Sequence, residues 1–152
     1  MQVFGPVKTY ITNPAAINTS NELFRDILQG KFKQQLPATA NTLWVDVRDV
    51  AAAHVAAFEK PEAAGQRFFV TSNKFSRQQV ADIIVKNFPE LKHLLPATRE
   101  PNDGLEPVGS SYTADNSRSK KVLGIQYHTL EECVVDSIKA LRTLGMSEKL
   151  QH

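Results

Sequence analysis

The side chains most able to do chemistry lie together in the tetrapeptide Asp46-Val47-Arg48-Asp49, with His54 five residues further on. Two carboxylates beside a guanidinium suit general acid–base catalysis. The same residues also suit a structural role, because an aspartate caps the first turn of a helix and pairs with a nearby arginine. We favour helix capping with a local ion pair. A small independent enzyme that uses Asp46, Asp49 and His54 is the less favoured alternative.

The other reactive residue types indicate packing or solvated surface. Cys133 is the only cysteine, which excludes an internal disulfide and a cysteine zinc site, and it lies on the apolar face of a predicted helix. We therefore expect a small buried hydrophobe. No two of the four histidines have the spacing of metal ligands. The basic cluster at residues 118–121 has no interleaved aromatic residues, so we expect a solvated helix face and no nucleic-acid site.

Two motifs of nucleotide-dependent redox enzymes are missing. The seven glycines never occur two residues apart, so the sequence has no G-x-G-x-x-G loop. In a Tyr-x-x-x-Lys pair the lysine lowers the phenol pKa, and one helical turn puts both side chains on one face. The residue four places after each of the three tyrosines is proline, asparagine or glutamate, so no such pair exists.

Length and composition indicate one folded unit. The chain has 152 residues, a net charge of +2 and 41% hydrophobic residues, which favours a single domain over residues 1–145 with a frayed tail at 146–152. This charge is too small to indicate nucleic acid or an anionic membrane as partner. The sequence has no apolar run near the roughly 20 residues of a membrane helix and begins without signal-peptide features, so we expect a cytoplasmic protein.

Hydrophobic patterning predicts the elements that position these residues. The expected order is a strand, helix, strand, helix and strand, followed by three helices. The strands are predicted at Val3-Phe4, Leu43–Val45 and Arg67–Thr71, the last having the best strand signal. Capping boxes predict helix starts at Thr19, Ser76 and Thr129, and a further helix follows Asp46 with an apolar stripe of Val50, Ala53, Ala57 and Phe58. A short helix is expected from Asp115 to Gly124.

This alternation predicts an α/β fold with few parallel strands and several helices. Parallel sheets are normally covered on both faces and bordered by other strands. Three strands at most are too few for a complete fold of this kind. The chain is therefore interpreted as part of an α/β fold.

The segment from Trp44 to His54, WVDVRDVAAAH, resembles the extended short-chain dehydrogenase/reductases, in particular their dihydroflavonol-4-reductase-like branch and the fungal NADPH-dependent methylglyoxal, aldehyde and ketone reductases. Other segments fit the same family in the same order, and together they span residues 3 to about 144: VFGP at 3–6, NTS at 18–20, GQRFFV at 65–70 and KKVLG at 120–124. The resemblance is to the C-terminal, substrate-binding half of the family. Its glycine loop and Ser/Tyr/Lys catalytic set lie before that half, which agrees with the missing motifs.

The resemblance implies a partial NAD(P)-binding Rossmann-type fold, NADP as cofactor and a small carbonyl compound as substrate. It places Val3, Phe4 and Pro6 beside the nicotinamide. Ser20 is implied as a donor to the cofactor phosphates, with plain helix capping as the alternative. The implied substrate-binding residues are Val7, Tyr10 and Trp44, although Trp44 equally suits a buried anchor.

Two functions remain open at this point. The first is the substrate-binding part of an NADP-dependent carbonyl reductase, inactive alone because the hydride-donor site and the proton donor are missing. The second is a non-catalytic interaction module derived from a reductase. Its exposed sheet edge would pair with a missing N-terminal half or with a second copy of the chain.

Overall fold

The computed structural model describes residues 1–7, 16–37, 43–97 and 113–145. The strands are β1 (Gln2–Phe4), β2 (Leu43–Asp46) and β3 (Asn73–Lys74), and the α-helices are α1 (Glu22–Leu28), α2 (Val47–Glu59), α3 (Arg77–Asn87) and α4 (Leu130–Thr143). Single 3-10 segments occupy Thr19–Asn21, Pro61–Ala63 and Pro89–Leu94, and a π-helical turn occupies Ser119–Leu123. The short helix predicted from Asp115 to Gly124 is present as helical residues 117–118 followed by this π-helical turn, and it ends at Gly124 as predicted. The substrate-binding role implied for Tyr10 and the frayed tail predicted at 146–152 lie outside the described residues.

The three strands form one mixed sheet in the order β1-β2-β3. β1 and β2 are parallel, with Val3 opposite Val45, whereas β2 and β3 are antiparallel. The α/β fold class is confirmed, but the expectation of parallel strands holds only for the first pair. The strand predicted at Arg67–Thr71 is wrong, because no described residue pairs with it as a ladder and β3 begins only at Asn73.

Helix starts show which capping signals the chain uses. Ser76 and Thr129 each form the predicted capping box, and Asp46 caps α2 by accepting a hydrogen bond from the Arg48 backbone N–H. The capping box predicted at Thr19 is wrong. Thr19 lies inside a 3-10 turn, and α1 begins at Glu22 without a side-chain cap. A 3-10 turn shifts the phase of the chain, so the Thr-x-x-Glu spacing no longer places a hydroxyl over the first orphan amides.

One large core holds the sheet against α1, α3 and α4. Four aromatic side chains lie at its centre: Phe4, Phe24, Trp44 and Phe75, all at most 2% exposed. The Phe4 ring centroid is 5.1 Å from that of Phe24 and 5.0 Å from that of Phe75. Cys133 is fully buried in this core, as predicted. Burial raises the pKa of its thiol, and the neighbouring Asp46 carboxylate adds to the effect.

A second, smaller cluster packs the inner face of α2. Ala53 of α2 and Ala63, Leu123 and Ile125 are buried there, with Phe68 and Val70 packed against them. The apolar stripe predicted for α2 is only partly correct. Ala53 is buried, but Ala57 is exposed and Phe58 is 92% exposed. Sequence periodicity identified a helix here but placed Phe58 on the wrong face.

Candidate functional site

The carboxyl end of β1 is held by hydrogen bonds from the turn that precedes α1. The Val3 backbone N–H donates to Ser20 Oγ over 3.3 Å, and Asn21 Nδ2 donates to the Gly5 carbonyl over 3.0 Å. Gly5 has φ +134°, and a Cβ there would lie 2.7 Å from Val47 Cγ1. Only glycine fits this close approach of β1 to α2. The end of β1 is therefore held both by the turn at Ser20 and Asn21 and by its close contact with α2.

A cavity of about 240 Å³ opens beside this strand end. Its apolar wall comes from Phe4, Leu23, Phe32 and Phe75. Its polar wall is lined by Gln2, Thr19, Ser20, Glu22, Asp26 and Arg77. Six of the ten lining residues are polar or charged, so the cavity offers hydrogen-bonding and charged groups beside one apolar wall.

Charges around the cavity are largely balanced by local partners. Arg25 and Lys31 each donate to the Asp26 carboxylate, at 2.9 Å from Nε and 2.8 Å from Nζ. Burial alone would raise the pKa of Asp26, but these hydrogen bonds hold it below its usual value. Burial lowers the pKa of the Arg77 guanidinium. The cavity thus presents a paired carboxylate and a partly desolvated cation.

The structure brings some of the expected site residues together. Phe4 and Ser20 line the cavity, and Val3 reaches Ser20 through its backbone. Ser20 does not cap α1, since it lies in the 3-10 turn and accepts from Val3, so the capping alternative is wrong. Pro6 and Val7 are half-buried at the end of the β1 segment, with Val7 packed against the large core.

Trp44 lies apart from the cavity lining. It is 1% exposed on β2, and its ring is stacked on that of Phe4 at 6.4 Å between centroids. Its Nε1–H is buried without a hydrogen-bond partner. The position suits a packing anchor, and a role of Trp44 in binding substrate stays a prediction.

The Asp46-Arg48-Asp49 segment has the structural role that we favoured. Arg48 donates to Asp46 from Nε at 2.9 Å and from Nη2 at 2.7 Å, and its Nη1 donates to Asp136 of α4 at 2.6 Å. Burial alone would raise the pKa of Asp46, but the hydrogen bonds from the Arg48 side chain and backbone lower it. The segment therefore joins the start of α2 to α4.

The remaining candidate acid and base residues do not assemble into a catalytic group. The buried carboxylate of Asp49 accepts from the His128 backbone N–H at 3.0 Å and lies 2.6 Å from His128 Nδ1. His54 is exposed, with its Nδ1 2.7 Å from the Val50 carbonyl of its own helix. Asp49 and His54 thus face different surroundings, which removes the geometric basis for the independent enzyme.

Sequence reasoning missed Asn21 and Arg77. Asn21 is buried and fixes Gly5, and its Oδ1 has no hydrogen-bond partner. Arg77 is the first residue of α3, next to the Ser76 cap that the sequence did reveal. Neither residue belongs to a local motif, because the tertiary fold alone brings Asn21 to Gly5 and places Arg77 in the same cavity wall as Phe4.

Within the residues that the structure describes, two further kinds of feature were sought, a metal-ligand cluster and a membrane-spanning helix. Residues 1–7, 16–37, 43–97 and 113–145 hold no group of three or more histidine, cysteine, aspartate or glutamate side chains placed for a metal ion. No helix within these ranges has the length and apolar character needed to cross a membrane.

Comparison with known proteins reveals relatives among reductases, although no family model matches the chain. The chain is 43% identical over 140 residues to the ketoreductase azaE of Aspergillus niger, an alignment that covers 91% of this chain and 40% of the relative. It is 36% identical over 135 residues to the NADPH-dependent methylglyoxal reductase GRE2 of Saccharomyces cerevisiae, covering 89% of this chain and 39% of the relative.

Solved structures give the same result. The crystal structure of Gre2 from Candida albicans matches with a TM-score of 0.82 and 36% identity, covering 95% of this chain and 43% of that one. The complex of Gre2 from C. albicans with NADPH matches with a TM-score of 0.80 and 36% identity, covering 94% and 42%. The chain thus spans about 40% of the length of its curated relatives and aligns with their C-terminal part.

Proposed function

We propose that this chain, which is homologous to the C-terminal part of the fungal NADPH-dependent reductases, is the substrate-binding part of an NADP-dependent oxidoreductase that reduces small aldehydes or ketones. The observation that carries the proposal is the cavity where Phe4 and Ser20 meet beside the end of β1. These residues are two of those at which the family resemblance implies contact with the cofactor.

The geometry fits one portion of NADPH. Ser20 Oγ accepts from Val3, so its own proton remains for donation to an acceptor on a ligand. Arg77 adds positive charge on the cavity wall, and the half-buried Leu23 and Phe32 give an apolar surface. Drug-sized ligands occupy pockets of roughly 300–1,000 Å³, so a cavity of about 240 Å³ is too small for a whole dinucleotide. The described residues would form one wall of the cofactor site.

Bound NADPH would supply the hydride that reduces a carbonyl. The part played by this chain would be to position the cofactor through Val3, Phe4, Pro6 and Ser20. Val7, Tyr10 and Trp44 are proposed to contact the substrate. The 152 residues contain neither a G-x-G-x-x-G loop nor a Tyr-x-x-x-Lys pair. We therefore propose that the chain alone is inactive and that it acts as one cytoplasmic domain spanning residues 1–145.

The experiment compares the chain alone with the chain joined to the missing motifs. NADPH is titrated into the purified chain by calorimetry, and NADPH consumption is followed with methylglyoxal and simple aldehydes. We expect no turnover and no binding near 1 μM, which would correspond to about −8 kcal/mol. The assay is repeated after fusion to the N-terminal part of the A. niger ketoreductase, meaning the region before its matched segment. Turnover by the chain alone would overturn the proposed inactivity, and no turnover by a folded fusion would overturn the reductase role.

A Ser20→Ala variant of the active fusion tests the cavity. We expect the KM for NADPH to rise about five- to tenfold, because one hydrogen bond to the ligand is lost. Asn18→Ala is the matched control, since Asn18 is exposed just before the same 3-10 turn, makes no side-chain cap and does not line the cavity. An equal KM for both variants would contradict the role proposed for Ser20.

A non-catalytic interaction module remains the second candidate. The observation that favours it is the exposure of Val55, Phe58 and Phe69, at 56%, 92% and 44%. Exposed apolar patches often mark interaction sites. Analytical ultracentrifugation of the chain alone distinguishes this candidate, because a strictly monomeric species at high concentration would count against self-association.

A further inference from the structure

Asn21 stands at the N-cap position of α1, but its side chain does not cap that helix. Asparagine is a preferred N-cap residue, because its side-chain oxygen can accept from amides of the first turn. Here the Asn21 side chain accepts from no amide of α1. It is 5% exposed, and its Nδ2 donates instead to the Gly5 carbonyl over 3.0 Å. The side chain thus leaves a local bond unmade and contacts a residue 16 positions earlier in the chain.

Stability alone does not account for an asparagine at this place. Its buried Oδ1 has no hydrogen-bond partner among the described residues. A buried polar atom without a partner costs free energy, and natural proteins tend to keep such costs at functional sites. The side-chain bond that Asn21 does make is to Gly5. A function of this side chain would therefore act through the end of β1.

The Gly5 carbonyl lies where the direction of the chain after β1 is decided. Gly5 has φ +134°, a conformation that glycine adopts readily and other residues rarely. The same freedom allows the following peptide several orientations. Pro6 has no N–H that could fix this peptide. The bond from Asn21 therefore selects one orientation of the Gly5 carbonyl, and that orientation sets the direction in which Pro6 and Val7 leave the strand.

The turn that carries Asn21 is itself anchored. The Asn21 backbone N–H donates to the Asn18 carbonyl over 2.9 Å within the 3-10 turn. The preceding residue, Ser20, accepts from the Val3 N–H over 3.3 Å. Two consecutive side chains of one turn thus hold the backbone on both sides of Phe4, whose ring is buried in the large core. The turn can therefore fix the strand end without shifting itself.

We infer that Asn21 is a positioning residue of the reductase site. By holding the Gly5 carbonyl, it keeps Pro6 against the nicotinamide ring and Val7 beside the substrate. Asn21 is buried and does not line the cavity beside β1, so it acts through the backbone and not by contact with a ligand. The inference rests on the proposed function, because the roles of Pro6 and Val7 belong to that proposal.

This role predicts a split between cofactor binding and turnover. A misplacement of about 1 Å at a reacting centre can lower a rate about 100-fold. Ser20 keeps its own bond to Val3 when the Asn21 bond is lost, so it would still contact the cofactor phosphates. We therefore expect loss of the Asn21 bond to lower kcat and to leave the KM for NADPH nearly unchanged. Ser20→Ala should give the opposite pattern.

The test is Asn21→Leu in the fusion with the N-terminal part of the A. niger ketoreductase. Leucine has nearly the same size as asparagine and cannot donate a hydrogen bond. NADPH oxidation is followed in a single turnover, where the amplitude reports the amount of active enzyme and the rate constant reports the chemical step. We expect the rate constant to fall at least about tenfold, while the KM for NADPH changes less than about twofold. Partial unfolding alone would lower the amplitude and leave the rate constant unchanged.

Ser119→Ala is the matched control for a loss of stability. Ser119 is fully buried and its Oγ donates to the Asn116 carbonyl over 2.7 Å, so this variant also loses a buried side-chain bond to a backbone carbonyl. Its π-helical turn packs against α2 and does not line the cavity. We expect a lower unfolding temperature and an unchanged rate constant. Equal rate constants for the Asn21→Leu and Ser119→Ala fusions would overturn the inference.

A second measurement needs no catalysis. In the isolated chain, the NMR shift of the Gly5 carbonyl carbon reports the bond from Asn21, and the amide shift of Val7 reports the direction of the chain after Pro6. We expect both shifts to change in Asn21→Leu and to stay unchanged in Ser119→Ala. An unchanged Val7 amide in Asn21→Leu would overturn the inference, whatever the activity of the fusion.

The readouts separate this inference from the proposed function. An active parent fusion whose Asn21→Leu variant keeps its rate constant would support the reductase role and overturn the positioning role of Asn21. A folded parent fusion without turnover would contradict the reductase role itself. Changed NMR shifts in that case would leave Asn21 with a structural role only, and the inference would then be wrong as well.

Discussion

The two apolar clusters of this chain differ in how completely they are packed. The large core surrounds Phe4, Phe24, Trp44 and Phe75 with helices and leaves each of them at most 2% exposed. The small cluster beside α2 is built on alanines and a few aliphatic side chains, while Phe58 on the same helix is 92% exposed. The chain thus completes one core from its own residues. Beside the other cluster, α2 carries Val55 and Phe58 in solvent, and exposed apolar side chains of this size are typical of interfaces.

The largest expected effect comes from the closed core. Phe4→Ala removes the ring that contacts Phe24 and Phe75, and it should lower the free energy of unfolding by about 3–5 kcal/mol. Urea unfolding followed by circular dichroism measures this change. Phe69→Ala, on a residue 44% exposed, is the control and should cost much less. Comparable losses for both variants would remove the distinction between the two regions.

The hydrogen bonds of Arg48 join α2, beside the small cluster, to α4 of the large core. Their removal should give the second largest loss of stability. Arg48→Ala leaves the fully buried carboxylate of Asp46 without its charged partner, so we expect a loss of about 3 kcal/mol. The exposed pair of Arg142 and Glu90 is the matched control, because Arg142→Ala should cost less than about 1 kcal/mol. A loss below 1 kcal/mol for Arg48→Ala would show that α2 and α4 are held together by other contacts.

Acid should weaken the same junction. The pKa of Asp46 in the folded chain lies below its usual value, so the unfolded state binds the proton first as the pH falls. The stability contributed by Asp46 is therefore present above about pH 4 and lost as the pH falls through the folded-state pKa. Thermal unfolding between neutral pH and pH 3 measures this, and the slope should be smaller for Asp46→Asn. An unchanged slope in that variant would assign the acid sensitivity to other carboxylates.

The smallest expected change in unfolding free energy is at the exposed face of α2. Phe58→Ser should change the unfolding free energy of the isolated chain by less than about 0.5 kcal/mol, because the ring is almost entirely in solvent. Thermal unfolding at matched concentration measures it. A loss above 1 kcal/mol would mean that Phe58 packs within the isolated chain, and the face of α2 would then no longer count as open.

Local signals predicted the parts of the fold that depend on few neighbouring residues. The Ser76 and Thr129 capping boxes and the burial of Cys133 are predicted correctly from short patterns, and of the two aspartates able to cap α2 the structure uses Asp46. The α/β class also followed from the order of such patterns. The resemblance to reductases was confirmed by the relatives, although the roles of Val3, Phe4, Pro6, Ser20, Val7, Tyr10 and Trp44 are still predictions.

The failures have a different physical origin. Asp49 meets His128 across 79 positions of sequence, and no local pattern encodes such a contact. Residues 67–71 have strand composition, but a strand needs a neighbour, and none of the described residues supplies one. The prediction that Phe58 belongs to the buried stripe of α2 is wrong for a related reason. An apolar stripe on a helix indicates a contact surface, but it does not say whether the contact is made within the same chain. The sequence did not predict the cavity either, because two of its lining residues, Ser20 and Arg77, are distant in sequence.

The buried thiol of Cys133 gives the chain a built-in reporter. Thiol reagents react with the thiolate, and both the complete burial of Cys133 and the upward shift of its pKa suppress that form in the folded state. Modification of the wild-type chain should therefore proceed only through opening of the large core, at a rate set by the population of opened molecules. A cysteine introduced on the outer face of α2 would in contrast react at once, so fluorophores could be attached there without first removing the native residue.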